Sequence, residues 1–159
     1  ERPLQFRDLE LPHLFMYGRI DLTERYENGE IIITDFKTGS SKTKSAIEKL
    51  DAEGRLSPYM RQLAMYSYLV SGVEKGAVVS ESRLLYLESP KGDKNALYFT
   101  RIGEKQIDLL KKDIRDYSQL LQTGEWVDRP CNYDAYGKNT ECEYCKRAKI
   151  YKKNDIINK

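Results

Sequence analysis

Long apolar runs are missing from this sequence of 159 residues. No stretch approaches the roughly 18 consecutive apolar residues that a membrane-spanning helix needs, so we expect no membrane association. Internal repeats and low-complexity tracts are missing as well. We interpret residues 1–159 as a single domain. Because the chain opens at Glu1 rather than at a methionine, we also interpret it as a fragment of a longer protein.

An excess of charge of one sign is also missing. The chain has 27 Lys and Arg residues against 25 Asp and Glu residues, which gives a formal net charge of +2. A protein that coats nucleic acid by bulk charge would be far more basic, so any nucleic-acid site must be local. Aromatic anchors are plentiful, with 12 Tyr, 4 Phe and 1 Trp, and this argues against a disordered chain.

Cysteine is scarce and confined to one end of the chain. The three cysteines are Cys131, Cys142 and Cys145. An odd number of cysteines, with no recognisable secretory signal, argues against a disulfide scaffold. We therefore expect a reducing, cytoplasmic compartment. Residues 124–159 are interpreted as a cysteine-containing loop followed by a basic tail.

Hydrophobic periodicity predicts an alternation of strands and helices. We expect a β-hairpin, a short surface helix, a longer helix that opens at Ser57-Pro58, two more strands and a final helix. The ranges are 14–22 and 31–37 for the hairpin, 44–50 and 57–71 for the helices, 83–88 and 96–102 for the strands about a turn at 90–93, and 104–121 for the final helix. This order predicts an α/β (α+β) fold in which a small mixed central sheet, with the hairpin at its core, is flanked by helices.

The second predicted strand ends in two side chains of opposite charge. Asp35 and Lys37 are two residues apart, so both project from the face that Ile31 and Ile33 share. A carboxylate at such a position can bind a hard cation, and a lysine beside it can offset an anion or hold a water.

The length of the hairpin loop decides whether Asp21 joins this face. A two-residue turn at Asn28-Gly29 would place Asp21 opposite Phe36, on the wrong face. A three-residue loop instead pairs Tyr26 with Glu30 and brings Asp21 opposite Asp35. We predict the three-residue loop, closed by Gly29 in the left-handed conformation as a bulge.

The predicted helix 57–71 carries two further polar groups on one stripe. Gln62 and Tyr66 are four residues apart, so they lie on the same side of the helix. An amide beside a phenol there can position a water or hydrogen-bond a phosphate. Tyr66 also fits a core stripe, and we expect it to serve both purposes.

Three of these segments together resemble a known family. Gly18-Arg19-Ile20-Asp21, then Asp35-Phe36-Lys37, then Gln62 with Tyr66 four residues later are similar to the GxxD, DxK and QxxxY motifs of the PD-(D/E)XK nuclease superfamily, in its RecB-like branch. The resemblance implies a restriction-endonuclease-like fold. It also implies a magnesium-dependent deoxyribonuclease that hydrolyses phosphodiester bonds with a metal-activated water.

The resemblance assigns a role to each matched residue. Asp21 and Asp35 would ligate Mg²⁺ or Mn²⁺. Lys37 would orient or activate the attacking water, while Gln62 and Tyr66 would support the site and contact the DNA strand. Family members commonly carry one more acidic or histidine ligand on an upstream helix, and nothing before residue 14 resembles that helix.

The same resemblance implies the partners. RecB-like nucleases are often modules of helicases in DNA recombination and repair. This implies DNA as substrate, a helicase region in the same polypeptide or in a partner subunit, and a nucleoid-associated location. Two alternatives stay open: a catalytically impaired nuclease-derived DNA-binding or scaffolding module, and a nuclease associated with CRISPR adaptation or phage.

The remaining metal-ligand types in the sequence give weaker signals. Cys142 and Cys145 form a C-x₂-C pair, which suggests metal, with Cys131 as an extra candidate. A four-cysteine site cannot be assembled from three residues. The alternatives are an iron–sulfur cluster completed from outside the chain, zinc with a different fourth ligand, or reduced thiols without metal. His13 is interpreted as a surface residue.

Overall fold

The computed structural model describes residues 2–88, 95–125, 142–143, 145–147 and 150. The backbone divides into two compact units, Glu1–Ile114 and Arg115–Lys159, each described by itself below. The predicted turn at 90–93 and most of the predicted region 124–159, including Cys131, lie outside the described residues. Within the described part, no helix has both the length and the apolar character needed to cross a bilayer.

The described elements form two sheets and three helices. In chain order they are β1 Arg2–Phe6, β2 Met16–Ile20, β3 Leu22–Arg25, β4 Glu30–Lys37, α1 Lys44–Glu48, α2 Pro58–Val73, β5 Val78–Tyr86, β6 Leu97–Thr100 and α3 Glu104–Thr123. β1 and β2 form an antiparallel pair, and the larger sheet has the order β3-β4-β5-β6. Because β4 and β5 run parallel while the outer pairs run antiparallel, the sheet is mixed. The predicted fold class is confirmed.

The β3–β4 hairpin has the predicted loop. Tyr26 pairs with Glu30, since the Tyr26 amide donates to the Glu30 carbonyl at 3.0 Å and the ladder continues from Arg25 opposite Ile31. Gly29 adopts a φ of 83° and donates its amide to the Tyr26 carbonyl at 3.0 Å. The three-residue loop is confirmed, and it sets the register of everything upstream in β3.

The first predicted strand, 14–22, is wrong as a single element. The structure breaks it at Asp21 into β2 and β3, which belong to different sheets, and pairs β2 with β1. The break has a physical reason. The Asp21 carboxylate accepts the Phe36 amide at 2.9 Å, so a side chain takes the place of the next ladder hydrogen bond. The sequence analysis did not predict β1. Its five residues are too few to show a strand pattern by themselves, and its pairing with β2 is visible only in the fold.

Helix α2 begins and packs as its sequence indicates. Ser57 caps its N-terminus by accepting the Met60 amide at 3.1 Å, and Pro58 occupies the first turn. The helix runs through Gly72 to Val73, beyond the predicted end at residue 71. At Gly72 a Cβ would lie 2.5 Å from the Phe6 ring, so this glycine serves packing rather than termination.

Strand β5 begins at Val78 rather than at residue 83. Its early part was missed because Ser80-Glu81-Ser82 is too polar for the apolar alternation expected of a strand. In the structure Ser82 is fully buried, and its hydroxyl lies 3.0 Å from that of Ser67 on α2. Because the two buried hydroxyls form a hydrogen bond with each other, burying them costs little free energy, and the strand continues through this segment.

The core lies between the sheets and α2. Leu63, Leu69 and Val70 on α2 are fully buried together with Ile33 of β4 and Leu84 of β5. β2 and α2 approach closely at Gly18, where a Cβ would lie only 2.6 Å from the buried Leu69 side chain. The core therefore holds β2, β4 and α2 together, and these elements frame the residues of the candidate site.

Candidate active site at the end of β4

Two charged side chains, those of Asp35 and Lys37, lie at the C-terminal end of β4 on the face that points into the core. Asp35 is 2% exposed and continues the face on which Ile31 and Ile33 are buried, as the two-residue periodicity predicts. Lys37 follows on the same face, and its Nζ lies 2.6 Å from Asp35 Oδ2. Burying a carboxylate this deeply is costly unless a cation pairs with it, and Lys37 provides that cation.

Helix α2 satisfies the other oxygen of Asp35. Gln62 Nε2 donates to Asp35 Oδ1 at 2.8 Å, and the Tyr66 hydroxyl lies 3.3 Å from the same atom. Gln62 Nε2 also lies 2.8 Å from the Tyr66 oxygen. The four-residue spacing of Gln62 and Tyr66 therefore places both on the side of α2 that faces β4.

The Gln62 amide has a defined orientation. Its Oε1 accepts from Lys37 Nζ at 2.5 Å. An ammonium offers only donors, so the amide oxygen must face Lys37 and the amide nitrogen must face Asp35. One side chain thus connects the two charged groups of β4, and Gln62 is the hub of the network.

The surroundings keep the Tyr66 hydroxyl protonated. Burial raises the pKa of Tyr66 above its ordinary value of 10.0, and the negative charges of Asp35 and Asp21 raise it further, although the hydrogen bond from Gln62 acts in the opposite direction. At neutral pH this phenol is therefore a stable donor to the Asp35 carboxylate.

Asp21 reaches the same end of β4 from the junction of β2 and β3. Its side chain is half-buried, and its Oδ2 accepts the Phe36 amide at 2.9 Å. Phe36 lies between Asp35 and Lys37 in the chain. The structure therefore brings together all five residues singled out from the sequence: Asp21, Asp35, Lys37, Gln62 and Tyr66.

Sequence reasoning missed two tyrosines beside Lys37. Lys37 Nζ lies 5.9 Å from the centroid of the Tyr59 ring, within range of a cation–π interaction. The Tyr59 ring lies 6.5 Å from that of Tyr86, which stands opposite Lys37 in the parallel register of β4 and β5. Burial raises the pKa of Tyr86, as do Tyr59 and Asp35. Tyr59 fits the apolar stripe of α2, which hides its place beside Lys37 in the sequence, and the pairing of β5 with β4 cannot be predicted from either strand alone.

The donor set at this site fits a hard divalent cation. Within the described residues, Asp35 Oδ2 is buried and accepts no hydrogen bond of good geometry, and the Lys37 ammonium lies 2.6 Å from it. Asp21 contributes a second carboxylate, and carboxylate oxygens are the ligands that Mg²⁺ and Mn²⁺ prefer. Among the same residues, no group of three or more His, Cys, Asp or Glu side chains that could hold a metal ion is found. Two carboxylates of the described chain, those of Asp35 and Asp21, lie at this site.

The other candidate ligands lie elsewhere. His13 is exposed, as predicted. In the unit Arg115–Lys159 the Cys145 amide approaches Cys142 Sγ at 3.5 Å, which places the two cysteines on one turn of backbone. The proposal of metal at these cysteines stays a prediction, because Cys131 lies outside the described residues.

Comparison with known proteins identifies the family. A family model of the PD-(D/E)XK nuclease superfamily matches residues 1–150. Individual curated proteins give no significant match. The match covers nearly the whole chain, and the mixed sheet flanked by helices is consistent with the restriction-endonuclease-like fold of that superfamily. From its family match, its fold and its site, the chain belongs to the PD-(D/E)XK nuclease superfamily.

Proposed function

We propose that this chain is a divalent-metal-dependent deoxyribonuclease that hydrolyses phosphodiester bonds with an activated water. One observation carries the proposal. Asp35 contacts Lys37 through one carboxylate oxygen and Gln62 and Tyr66 through the other, at the end of a strand that Asp21 also reaches. A buried carboxylate, a lysine and a second carboxylate in one place are groups that can hold a divalent cation and position a water for phosphodiester hydrolysis.

Asp21 and Asp35 are the residues that would hold Mg²⁺ or Mn²⁺. When bound, the cation would supply positive charge beside the scissile phosphate. Asp35 is the better anchored of the two, because two α2 side chains fix its Oδ1 and leave Oδ2 directed toward Lys37. Asp21 is fixed by a single backbone amide of β4.

Lys37 is the residue suited to act on the water. Its ammonium carries three protons, of which two face Asp35 Oδ2 and Gln62 Oε1. A third proton can be donated to an attacking water or to a non-bridging phosphate oxygen. Because the amine is held in place before substrate arrives, stabilising charge in the transition state needs little reorganisation.

Gln62 and Tyr66 are positioning residues for this pair. The raised pKa of Tyr66 keeps its hydroxyl a donor at neutral pH, so Asp35 stays oriented. Gln62 sets the distance between Lys37 and Asp35 by contacting both. Their contact with a DNA strand is part of the same proposal.

We place the chain in the RecB-like branch, as a nuclease module of DNA recombination or repair attached to a helicase. The order and spacing of Gly18–Asp21, Asp35–Lys37 and Gln62–Tyr66 support this placement. It predicts that a helicase region, in the same polypeptide or in a partner subunit, hydrolyses ATP in a DNA-dependent manner. A native assembly purified through this chain that lacks DNA-stimulated ATPase activity would contradict the helicase association.

The nuclease proposal is tested by incubating single-stranded and duplex DNA with the chain. We expect cleavage with Mg²⁺ or Mn²⁺ and none with chelator. Tight DNA binding without cleavage, in Mn²⁺ as well, would instead favour the catalytically impaired DNA-binding module.

A further inference from the structure

The two-stranded sheet β1–β2 has an outer face of unusual composition. Residues at alternate positions of both strands, with their flanking residues, are all exposed: Pro3, Gln5, Arg7, Phe15, Tyr17 and Arg19. None of these six side chains is acidic. Two large aromatic rings on this face are more than half exposed, Phe15 at 54% and Tyr17 at 53%. Burial in the core therefore does not explain them.

Cations hold both aromatic rings in place. The Arg7 guanidinium lies 5.7 Å from the centroid of the Phe15 ring, and Arg19 Nε donates to the Tyr17 hydroxyl at 3.2 Å. We call Arg7, Phe15, Tyr17 and Arg19 the β2 strip. Exposed aromatic rings interleaved with arginines are the combination that single-stranded nucleic acid binds, since bases stack on the rings and phosphates meet the cations.

The β2 strip leads directly to the candidate active site. Arg19 precedes Asp21 by two residues, and the Asp21 carboxylate contacts the backbone of β4 beside Asp35. Phe15, Tyr17 and Arg19 recur at about 7 Å along the strand. This spacing suits a strand whose bases are unstacked, whereas bases in a duplex follow one another at about 3.4 Å and cover each other's faces.

We propose that the β2 strip is a binding surface for single-stranded DNA, on which two bases stack against Phe15 and Tyr17 while Arg7 and Arg19 contact the backbone. The strand then continues past Asp21 to the site where it is cut. This inference rests on the proposed nuclease function and names its substrate as DNA with unpaired bases next to the scissile phosphate. Single-stranded DNA is the ligand that fits this surface, because its phosphates complement the two arginines and the strip continues into the candidate active site.

The test measures affinity without turnover. A fluorescent oligothymidylate of about 12 nucleotides is titrated with the full chain in chelator, beside a blunt duplex of equal length. We expect the single strand to bind at least about tenfold more tightly than the duplex, since only unpaired bases can stack on the strip. Equal affinity for the two DNAs would overturn the proposal.

Matched variants locate the effect. Phe15→Leu and Tyr17→Leu should each weaken single-strand binding about tenfold, whereas Tyr17→Phe, which keeps the ring but loses the hydroxyl that Arg19 contacts, should bind more tightly than Tyr17→Leu. Phe99→Leu, at an aromatic residue that is 61% exposed on β6, is the control and should change nothing. Unchanged affinity in both Phe15→Leu and Tyr17→Leu, with parental melting temperatures, would overturn the proposal.

Salt dependence tests the arginines separately. Arg7→Gln and Arg19→Gln should each lower the slope of log affinity against log salt by roughly 0.7, the value for one phosphate contact on a single strand. Slopes equal to that of the parent would show that the two arginines do not contact the DNA backbone. Because binding is measured without metal, a chain that binds through the strip and never cuts refutes only the nuclease proposal. A chain that cuts while the Leu variants keep their affinity and KM refutes only the strip.

Discussion

At the scale of single residues, the site depends on one amide. Gln62 contacts three of the other four site residues, Lys37, Asp35 and Tyr66, and it does so through both ends of its amide. The amide oxygen accepts from Lys37, and the amide nitrogen donates to Asp35 and to Tyr66. The site residues are therefore coupled, and their individual contributions to activity will not add.

Removing this amide should lower activity without unfolding the protein. We expect Gln62→Leu to reduce kcat roughly 10- to 100-fold, the usual effect of losing a group that orients a metal ligand. Gln106→Leu, at a glutamine outside the site that accepts the Gly103 amide at 3.1 Å, is the matched control and should cut DNA at the parental rate. Steady-state cleavage kinetics measure both, and a Gln62→Leu rate within twofold of the parental rate would contradict the hub assignment.

A second residue-scale network should make stability depend on pH. Asp8 accepts from the Tyr68 hydroxyl and lies 3.6 Å from Lys111 Nζ. Burial raises the pKa of Asp8. The hydrogen bonds from Tyr68 and the Glu10 amide, together with the charge of Lys111, outweigh burial and lower this pKa below 3.8. A lowered pKa in the folded state stabilises the fold above the unfolded value, and that contribution is lost as pH falls through the folded pKa.

Asp8→Asn should therefore unfold more easily than the parent at pH 7, by about 1–3 kcal/mol in the free energy of unfolding. The difference should shrink as the pH is lowered below the ordinary aspartate pKa of 3.8. Urea denaturation across this range measures it. A difference that stays constant down to the acid limit would show that Asp8 acts through its shape rather than its charge.

The sequence predicts most of this residue-scale picture because the rules involved are local. Strand parity placed Asp35 and Lys37 on one face, and helix spacing placed Gln62 beside Tyr66. The contacts between these two pairs follow from packing α2 against β4, which only the fold determines. Tyr59 and Tyr86 were missed for similar reasons: Tyr59 reaches Lys37 through the packing of α2, and Tyr86 lies opposite Lys37 through the parallel register of β5.

At the scale of elements, the hairpin loop determines which residues meet. Its three-residue length fixes the β3–β4 register and delivers Asp21 to the end of β4. Gly29 makes this loop possible, because its φ of 83° lies in the left-handed region. Loop chemistry is readable from sequence, so this register could be predicted. The division of 14–22 into β2 and β3 could not, since it depends on pairing with β1.

Gly29→Ala should destabilise the fold by about 1–2 kcal/mol, the cost of placing a Cβ in the left-handed conformation. Gly39→Ala is a matched control, since Gly39 has no such φ and a Cβ there would meet no atom within 4 Å. We expect it to leave the free energy of unfolding unchanged or slightly higher. Chemical denaturation of both variants checks the loop, and equal stabilities would contradict the assigned conformation.

At the scale of the whole molecule, the candidate site lies entirely within the unit Glu1–Ile114. The net charge of +2 is spread over a near balance of 27 basic and 25 acidic residues. Two of the acids, Asp21 and Asp35, lie together at the end of β4, where the proposed function has the scissile phosphate approach. A cation bound there would reverse the local sign of charge, so overall charge says little about affinity for DNA.

Cation binding to the native state should raise the melting temperature. At a Mn²⁺ concentration of about 100 times the dissociation constant, the stabilisation is about 2.7 kcal/mol, which corresponds to several degrees for a chain of this size. Asp35→Asn should lose most of this shift because it removes a charged ligand. Thermal unfolding with and without Mn²⁺ measures it, and an equal shift in both proteins would place the cation elsewhere.

The most direct test of the active-site assignment is DNA cleavage by variants of its two charged β4 residues. With Mg²⁺ present, we expect Asp35→Asn and Lys37→Ala to abolish cleavage while both proteins stay folded. The matched controls are Asp108→Asn and Lys105→Ala, at exposed positions of α3, which should cut at the parental rate. Asp35→Asn and Lys37→Ala proteins that both cleave DNA as fast as the parent would contradict the assignment.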